Sequence, residues 1–344
     1  MRRLSCILVA GLLGLSAAYA GADPPMSPQA GAALAKTLAA VEQRVGPADP
    51  QLLPILASLA QLRFEEADIA AATALRRRAL RIAIDACGGA SEPAANAMAA
   101  LAHLYIEQRR YLDAEPLAIV ADNVLAARRS AEDPVLAPLL ADRARIALAR
   151  GETGEARKLA EAAIAIDDRN LGAPRSDRLR VLGAVLVSQA RFADGERLLR
   201  RAIALDRAGG DRLATARSLA QLGKAYLRQK QFAKALPPIE EAAAIDQDRL
   251  GATHPLIAED LHDLGLIYLA TGRAADAAMA FRAATHLLKH GAGRDTPILA
   301  YIELDLARAE HALGHEDKSR SLFDAARRIL NQAEDEEHER QRRA

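Results

Sequence analysis

The sequence predicts an all-α solenoid built from antiparallel helix pairs. Three observations carry this: an alanine-rich, aromatic-poor composition, a self-similar interval close to 42 residues, and regular proline and glycine punctuation of that interval. Hydrophobic residues make up 51% of the 344, yet aromatics are only 3% and Trp is absent. Alanine, the commonest apolar residue, has the best helix propensity and lets helices approach closely. A compact α/β enzyme of this length carries more aromatics and more strand-forming Val/Ile runs.

The first element is a leader. Arg2 and Arg3 give a short positive start, Leu4 to Leu15 is apolar, and Ala18-Tyr19-Ala20 puts small residues where a signal peptidase reads. This layout predicts a secretory signal over residues 1–20, cleaved after Ala20, and an exported, periplasmic or secreted protein. Its apolar core is shorter than the about 20 residues a spanning helix needs, so a membrane anchor is the lesser reading. Cys6 lies inside that core rather than after it, which excludes a lipoprotein signal. Loss of Arg2 and Arg3 leaves 44 basic against 45 acidic side chains. That near-neutral balance gives no electrostatic case for nucleic acid, and the membrane would be met only through an uncleaved signal. Cys87 would be the one remaining cysteine, without an internal disulfide, and reads as a small buried residue at a helix end.

Residues 21–49 form a linker and a capping helix, Pro28–Val45, with Ala30, Leu34 and Leu38 on one face. Residues 50–330 are the repeat array. The best copy contains Leu261, Leu264, Gly265, Tyr268, Gly272, Ala277, Phe281 and Ala284. Forty-two residues earlier stand Leu219, Leu222, Gly223, Tyr226, Lys230, Ala235, Ile239 and Ala242. The small residue at the eighth place of each copy falls at 60, 102, 144, 183, 223, 265 and 307, giving seven copies. Pro50, Pro93, Pro134, Pro174, Pro255 and Pro297 precede those positions by nine or ten residues, where Pro suits a first helical turn. Asp49, Glu92, Asp133 and Thr296 stand before four of them as candidate caps. Cys87-Gly88-Gly89, Ala208-Gly209-Gly210 and Gly291-Ala292-Gly293 break the copies apart. In the best copy the two helices are expected near Pro255–Ala270 and Ala274–His290, with the small eighth residue where they cross. Residues 331–344 lack an apolar face and read as a solvated extension or tail.

Leu264-Gly265 with Tyr268, and Ala277 with Phe281 and Ala284, resemble the tetratricopeptide repeat. The longer interval and the linker Leu250-Gly251-Ala252-Thr253-His254-Pro255 are similar to the variety found in kinesin light chains. The resemblance implies a right-handed superhelix whose concave groove, lined by one face of each first helix, binds a protein or peptide. It places there Arg180, Arg217, Gln221, Lys224, Arg228, Glu259, His262, Asp263, Tyr301 and Asp305. A basic block (Arg180, Arg217, Lys224, Arg228) is then followed by an acidic one (Glu259, Asp263, Asp305), which would orient a ligand. Where kinesin-light-chain repeats present paired Asn, this chain has Arg180-Val181, Ala220-Gln221 and His262-Asp263, a departure from that peptide-holding mode.

The sequence holds no GxxxxGK[ST], GxGxxG, GxSxG or HExxH, so no enzyme class and no cofactor is indicated. His286 and His290 share a helix face without a third ligand, and Gly314 separates His311 from His315. The acidic residues, for example Glu240-Glu241 and Glu334–Glu337, read as solvated on polar helix faces or in the tail. The expected function is a non-catalytic interaction scaffold of a bacterial-type envelope. The alternative is an accessory, regulatory partner of a separately encoded envelope enzyme or assembly machine.

Overall fold

The computed structural model describes the backbone of residues 28–66, 68–252, 254, 256–290 and 297–343. The leader, Thr296 and the Gly291–Gly293 break lie outside the described residues. The chain divides into two compact units, residues 1–214 and 215–344.

In the first unit the cap α1 (Pro28–Val45) is followed by α2 (Leu53–Glu65), α3 (Ile69–Cys87), α4 (Glu92–Glu107) and α5 (Tyr111–Ala126). Then come α6 (Leu136–Ala149), α7 (Thr153–Leu171), α8 (Ser176–Ser188) and α9 (Phe192–Ala208). Helix α10 (Arg212–Arg228) carries the unit boundary. The second unit continues with α11 (Phe232–Leu250), α12 (Ile257–Ala270), α13 (Ala274–His290), α14 (Pro297–Ala312) and α15 (Glu316–Arg343). The described residues are helices and turns, an all-α repeat array. The cap and the second helix of the best copy have the expected bounds, and α12 starts two residues later than expected. Residues 331–343 continue α15 as a helical extension.

Each pair forms because second helices present alanines to first helices. Ala114, Ala118 and Ala121 of α5, and Ala277 and Ala284 of α13, are fully buried. At the crossing the eighth residue must be small. A Cβ at Gly265 would stand 2.4 Å from Phe281 Cε1, and one at Gly223 2.3 Å from Ile239 Cγ1. Both distances are below any real contact, so the helices touch through these glycines. The seventh copy has Ala307 there, and its aromatic, Phe323, is 56% exposed where Phe281 is fully buried.

The helix starts are more varied than the prolines suggested. Asp49 Oδ1 accepts from the Gln51 N–H at 2.9 Å, opening a short 3₁₀ turn, Pro50–Leu52, ahead of α2. Ser91, not Glu92, caps α4, its Oγ accepting from the Ala94 N–H at 3.3 Å. Asp133 Oδ1 accepts from the Val135 N–H at 3.0 Å just before α6. Cys87, expected as a small buried residue at a helix end, closes α3 and is half-buried.

Candidate interaction face

The face predicted to meet a ligand is formed by first helices, and each unit carries a portion of it. In the first unit His103 on α4 faces Asp142 on α6, with His103 Nδ1 2.9 Å from Asp142 Oδ2. Arg145, one turn further along α6, reaches back to Glu107 at 2.8 Å. Burial disfavours a charged His103, yet the Asp142 carboxylate outweighs it and holds the imidazole pKa above its usual value. Arg180 sits half-buried on α8.

In the second unit Arg217, Gln221, Lys224 and Arg228 lie on α10, and Glu259, His262 and Asp263 on α12. Tyr301 and Asp305 lie on α14. Lys224 Nζ is 3.0 Å from Glu259 Oε2 and 3.5 Å from Asp263 Oδ2. His262 Nε2 lies 2.8 Å from Asp305 Oδ2, and Arg308 donates to the other oxygen of Asp305, also at 2.8 Å. The His262 ring leans on Phe281, with centroids 5.6 Å apart. Successive first helices are therefore laddered together by charge pairs.

This corrects the expected polarity. The basic and acidic blocks do not stand apart for a ligand to bridge, because Lys224 neutralises Glu259 and Asp263 directly. Asp263 and Asp305 are themselves buried. Of the second unit's predicted face, Tyr301 and Arg228 are the exposed members, Tyr301 by 56%.

The reading of the acids as solvated holds for the exposed Glu240 and Glu241 but does not extend to several others. Glu303 and Glu310 are each 2% exposed. Lys289 donates to Glu303 at 2.7 Å, while Arg282 and His315 converge on Glu310. Asp246 on α11 and Asp260 on α12 are both buried, and each acts on the other. Burial raises both carboxyls, Asp246 to about 6 and Asp260 to about 8, the latter helped by the neighbouring Asp246 charge. A signal for them existed. Asp167, Asp206 and Asp246 all stand 23 residues after the small eighth residue of their copies, an aspartate recurring at a core register. Among the described residues no group of three or more His, Cys, Asp or Glu gathers as a metal site. No helix there is long and apolar enough to cross a membrane.

Residues 178–248 match the family model of the tetratricopeptide repeat. No curated protein matches. Among solved structures, a Rap protein complexed with competence and sporulation factor superposes with a TM-score of 0.61 at 11% identity. That match covers 83% of this chain and 78% of the other. The apo form of the quorum sensor NprR from B. thuringiensis gives 0.53 at 13% identity, covering 79% and 77%. A putative kinesin light chain repeat protein from Podosopora anserina is 22% identical over 58% of this chain and 97% of its own, at a TM-score of 0.47.

Proposed function

Taking the chain as a tetratricopeptide-repeat array with long intervals, we propose that it is an exported, non-catalytic scaffold. It binds a protein or peptide along the exposed side of its first helices. The observation that carries this is the repeated, laddered first-helix face, which holds Tyr301 and Arg228 outward on rigid supports. A surface built on packed helices presents contacts without the ordering cost a loop would incur. The fold relatives support a ligand-binding role: one is a factor-bound Rap protein and another a quorum sensor.

Export rests on the leader. Sequencing the N-terminus of protein recovered from an envelope extract is expected to begin at Gly21, and an intact Met1 in that material would sink it. Binding is tested by affinity capture with Tyr301→Ala and Arg228→Glu, both exposed positions at which folding should be undisturbed. Each variant is expected to recover its partner in reduced yield. Unchanged partners at unchanged yield from both would remove this face from the binding site.

A further inference from the structure

The joint between the fifth and sixth copies brings two acids to the register where the joint after the third copy has an acid and an arginine. Asp246 on α11 is 8% exposed and Asp260 on α12 is 3% exposed. Two buried carboxyl groups that act on each other need a proton on one of them, and Asp260, the one pushed further up, is the group that keeps it. The second oxygen of Asp260, Oδ2, is buried without a hydrogen-bond partner. Two ionised carboxylates in such contact would repel in a poorly solvated site, so the packed joint and the retained proton require one another.

The same register two joints earlier shows the contrast. Asp167 on α7 occupies the position of Asp246, and Arg178 on α8 that of Asp260. Arg178 Nε lies 3.7 Å from Asp167 Oδ2, with both side chains 4% exposed. An arginine at that place compensates its aspartate at every pH, whereas an aspartate there does so only while protonated.

The surroundings of the pair do not supply the missing cation in full. Arg217 and Lys224 of α10 act on it, but Lys224 is shared with Glu259 and Asp263 of α12, which themselves oppose ionisation of Asp260. Arg249, one turn along α11 from Asp246, is half-buried. His254, buried in the linker, accepts at Nδ1 from the Leu256 N–H at 3.2 Å. The charges of α13 are engaged elsewhere: Asp276 with Arg273, Arg282 with Glu310, and Lys289 with Glu303.

We propose that the Asp246–Asp260 pair is a proton-held latch, closing the α11–α12 joint while it keeps one shared proton and loosening it when that proton leaves. The folded pair holds protons that the opened joint gives up, so its stability contribution is present in acid and is lost as pH rises towards about 8. While the closed joint holds one proton more than the open one, the opening constant climbs about tenfold per pH unit. An exported array would in this way change its stiffness, at the joint carrying Lys224, Glu259 and Asp263, with the pH outside the cell.

Native-state hydrogen exchange of the full chain tests this. Amides of Ala242–Leu250 and Ile257–Gly265 are followed from about pH 6 to about pH 8.5, after correction for intrinsic exchange, with those of α2 and α3 as reference. Wild type should show the roughly tenfold rise per unit, levelling near pH 8, in those segments and not in the reference. Asp260→Asn, whose amide donates to Asp246 without titrating, should flatten it, and Asp246→Asn should at least halve its slope. If Asp260→Asn fails to fold, the second variant and the infrared carbonyl band of a protonated carboxyl at pH 7 decide. A flat wild-type profile, a wild-type slope in both variants, or no protonated carboxyl at pH 7 would each overturn the latch.

Discussion

The two joints that follow the third and fifth copies occupy one register and solve the same problem with different chemistry. Upstream, Asp167 meets Arg178; downstream, Asp246 meets Asp260. Upstream, Arg178 also pairs with Asp177, and the Arg175 N–H donates to Asp167 Oδ2 at 3.1 Å, so the ion pair has auxiliary hydrogen bonds. Even so, burial lifts the Asp167 carboxyl above its usual pKa, with Arg178 pulling the other way. A repeat fold therefore constrains where a polar group is buried far more tightly than how its charge is compensated. The compensation is where copies diverge.

The sharpest way to break this comparison is to remove the upstream cation. Arg178→Ala strands Asp167 and takes the main partner from Asp177, and removing one member of a buried pair costs about 3 kcal/mol or more. Chemical unfolding monitored in the first unit should show that loss at pH 7, and it should shrink in acid as the stranded carboxylates are protonated. A cost below about 1 kcal/mol would mean that Asp167 is already carried by its backbone bond.

The crossings differ between the units in the same sense. At Gly183 an added Cβ would meet Leu199 Cγ at 2.9 Å, a branched aliphatic end with some freedom. At Gly265 it would meet three ring atoms of the fully buried Phe281, the nearest at 2.4 Å. A rigid ring cannot turn aside, so Gly265→Ala should cost about 2–3 kcal/mol and Gly183→Ala about 1 kcal/mol. The seventh copy already shows the outcome of the first change, since Ala307 occupies that place and Phe323 stands outside. Equal losses at the two sites, read from paired denaturation curves, would mean the backbone yields rather than the side chain.

These sites also mark what the sequence alone could convey. The interval, the cap, the helix bounds of the sixth copy and the small crossing residues were legible, because each depends on side-chain size at a fixed spacing. The ladder and the buried acids were not. A lysine and an aspartate on neighbouring helices look solvated until the copies are stacked, and then Lys224 falls between Glu259 and Asp263. Asp246 and Asp260 are invisible as a pair because they belong to different copies. Their shared core register becomes visible only when Asp167, Asp206 and Asp246 are aligned. The exposed Phe323 was likewise hidden in an otherwise regular motif.

The first-helix ladder offers a smaller test. His103 with Asp142 in the first unit and His262 with Asp305 in the second are the same device, the aspartates at one register and the histidines four residues apart. His103 has its pKa raised by Asp142, so its pairing stabilises below the ordinary histidine value and fades as pH rises through the higher folded one. Asp142→Asn should lower the His103 pKa, followed by NMR titration, and cost about 1 kcal/mol in mild acid with much less at alkaline pH. A pH-independent loss would assign Asp142 to packing or to Arg145 instead.

The smallest effect concerns the turn within each pair, seven residues beyond the small crossing residue. There Gly151, Gly272 and Gly314 have φ of +78°, +80° and +81°, while Arg109, Ala190 and Lys230 adopt 59°, 60° and 56°. The turn takes a left-handed residue in each of the six copies where it is described, and three of them meet it with a side chain that disfavours it by about 1 kcal/mol. Nothing lies within 4 Å of the Cβ position at the three glycines, so strain in the backbone, not crowding, separates the two groups. Ala190→Gly and Lys230→Gly should each stabilise by about 0.5–1 kcal/mol, the relief of strain exceeding the added entropy of the unfolded glycine. The gain should match in the two units, because the geometry does, and differential scanning calorimetry can read both. If Lys230→Gly destabilises while Ala190→Gly stabilises, the long side chain contributes packing of its own. The turn would then differ between units as the joints do.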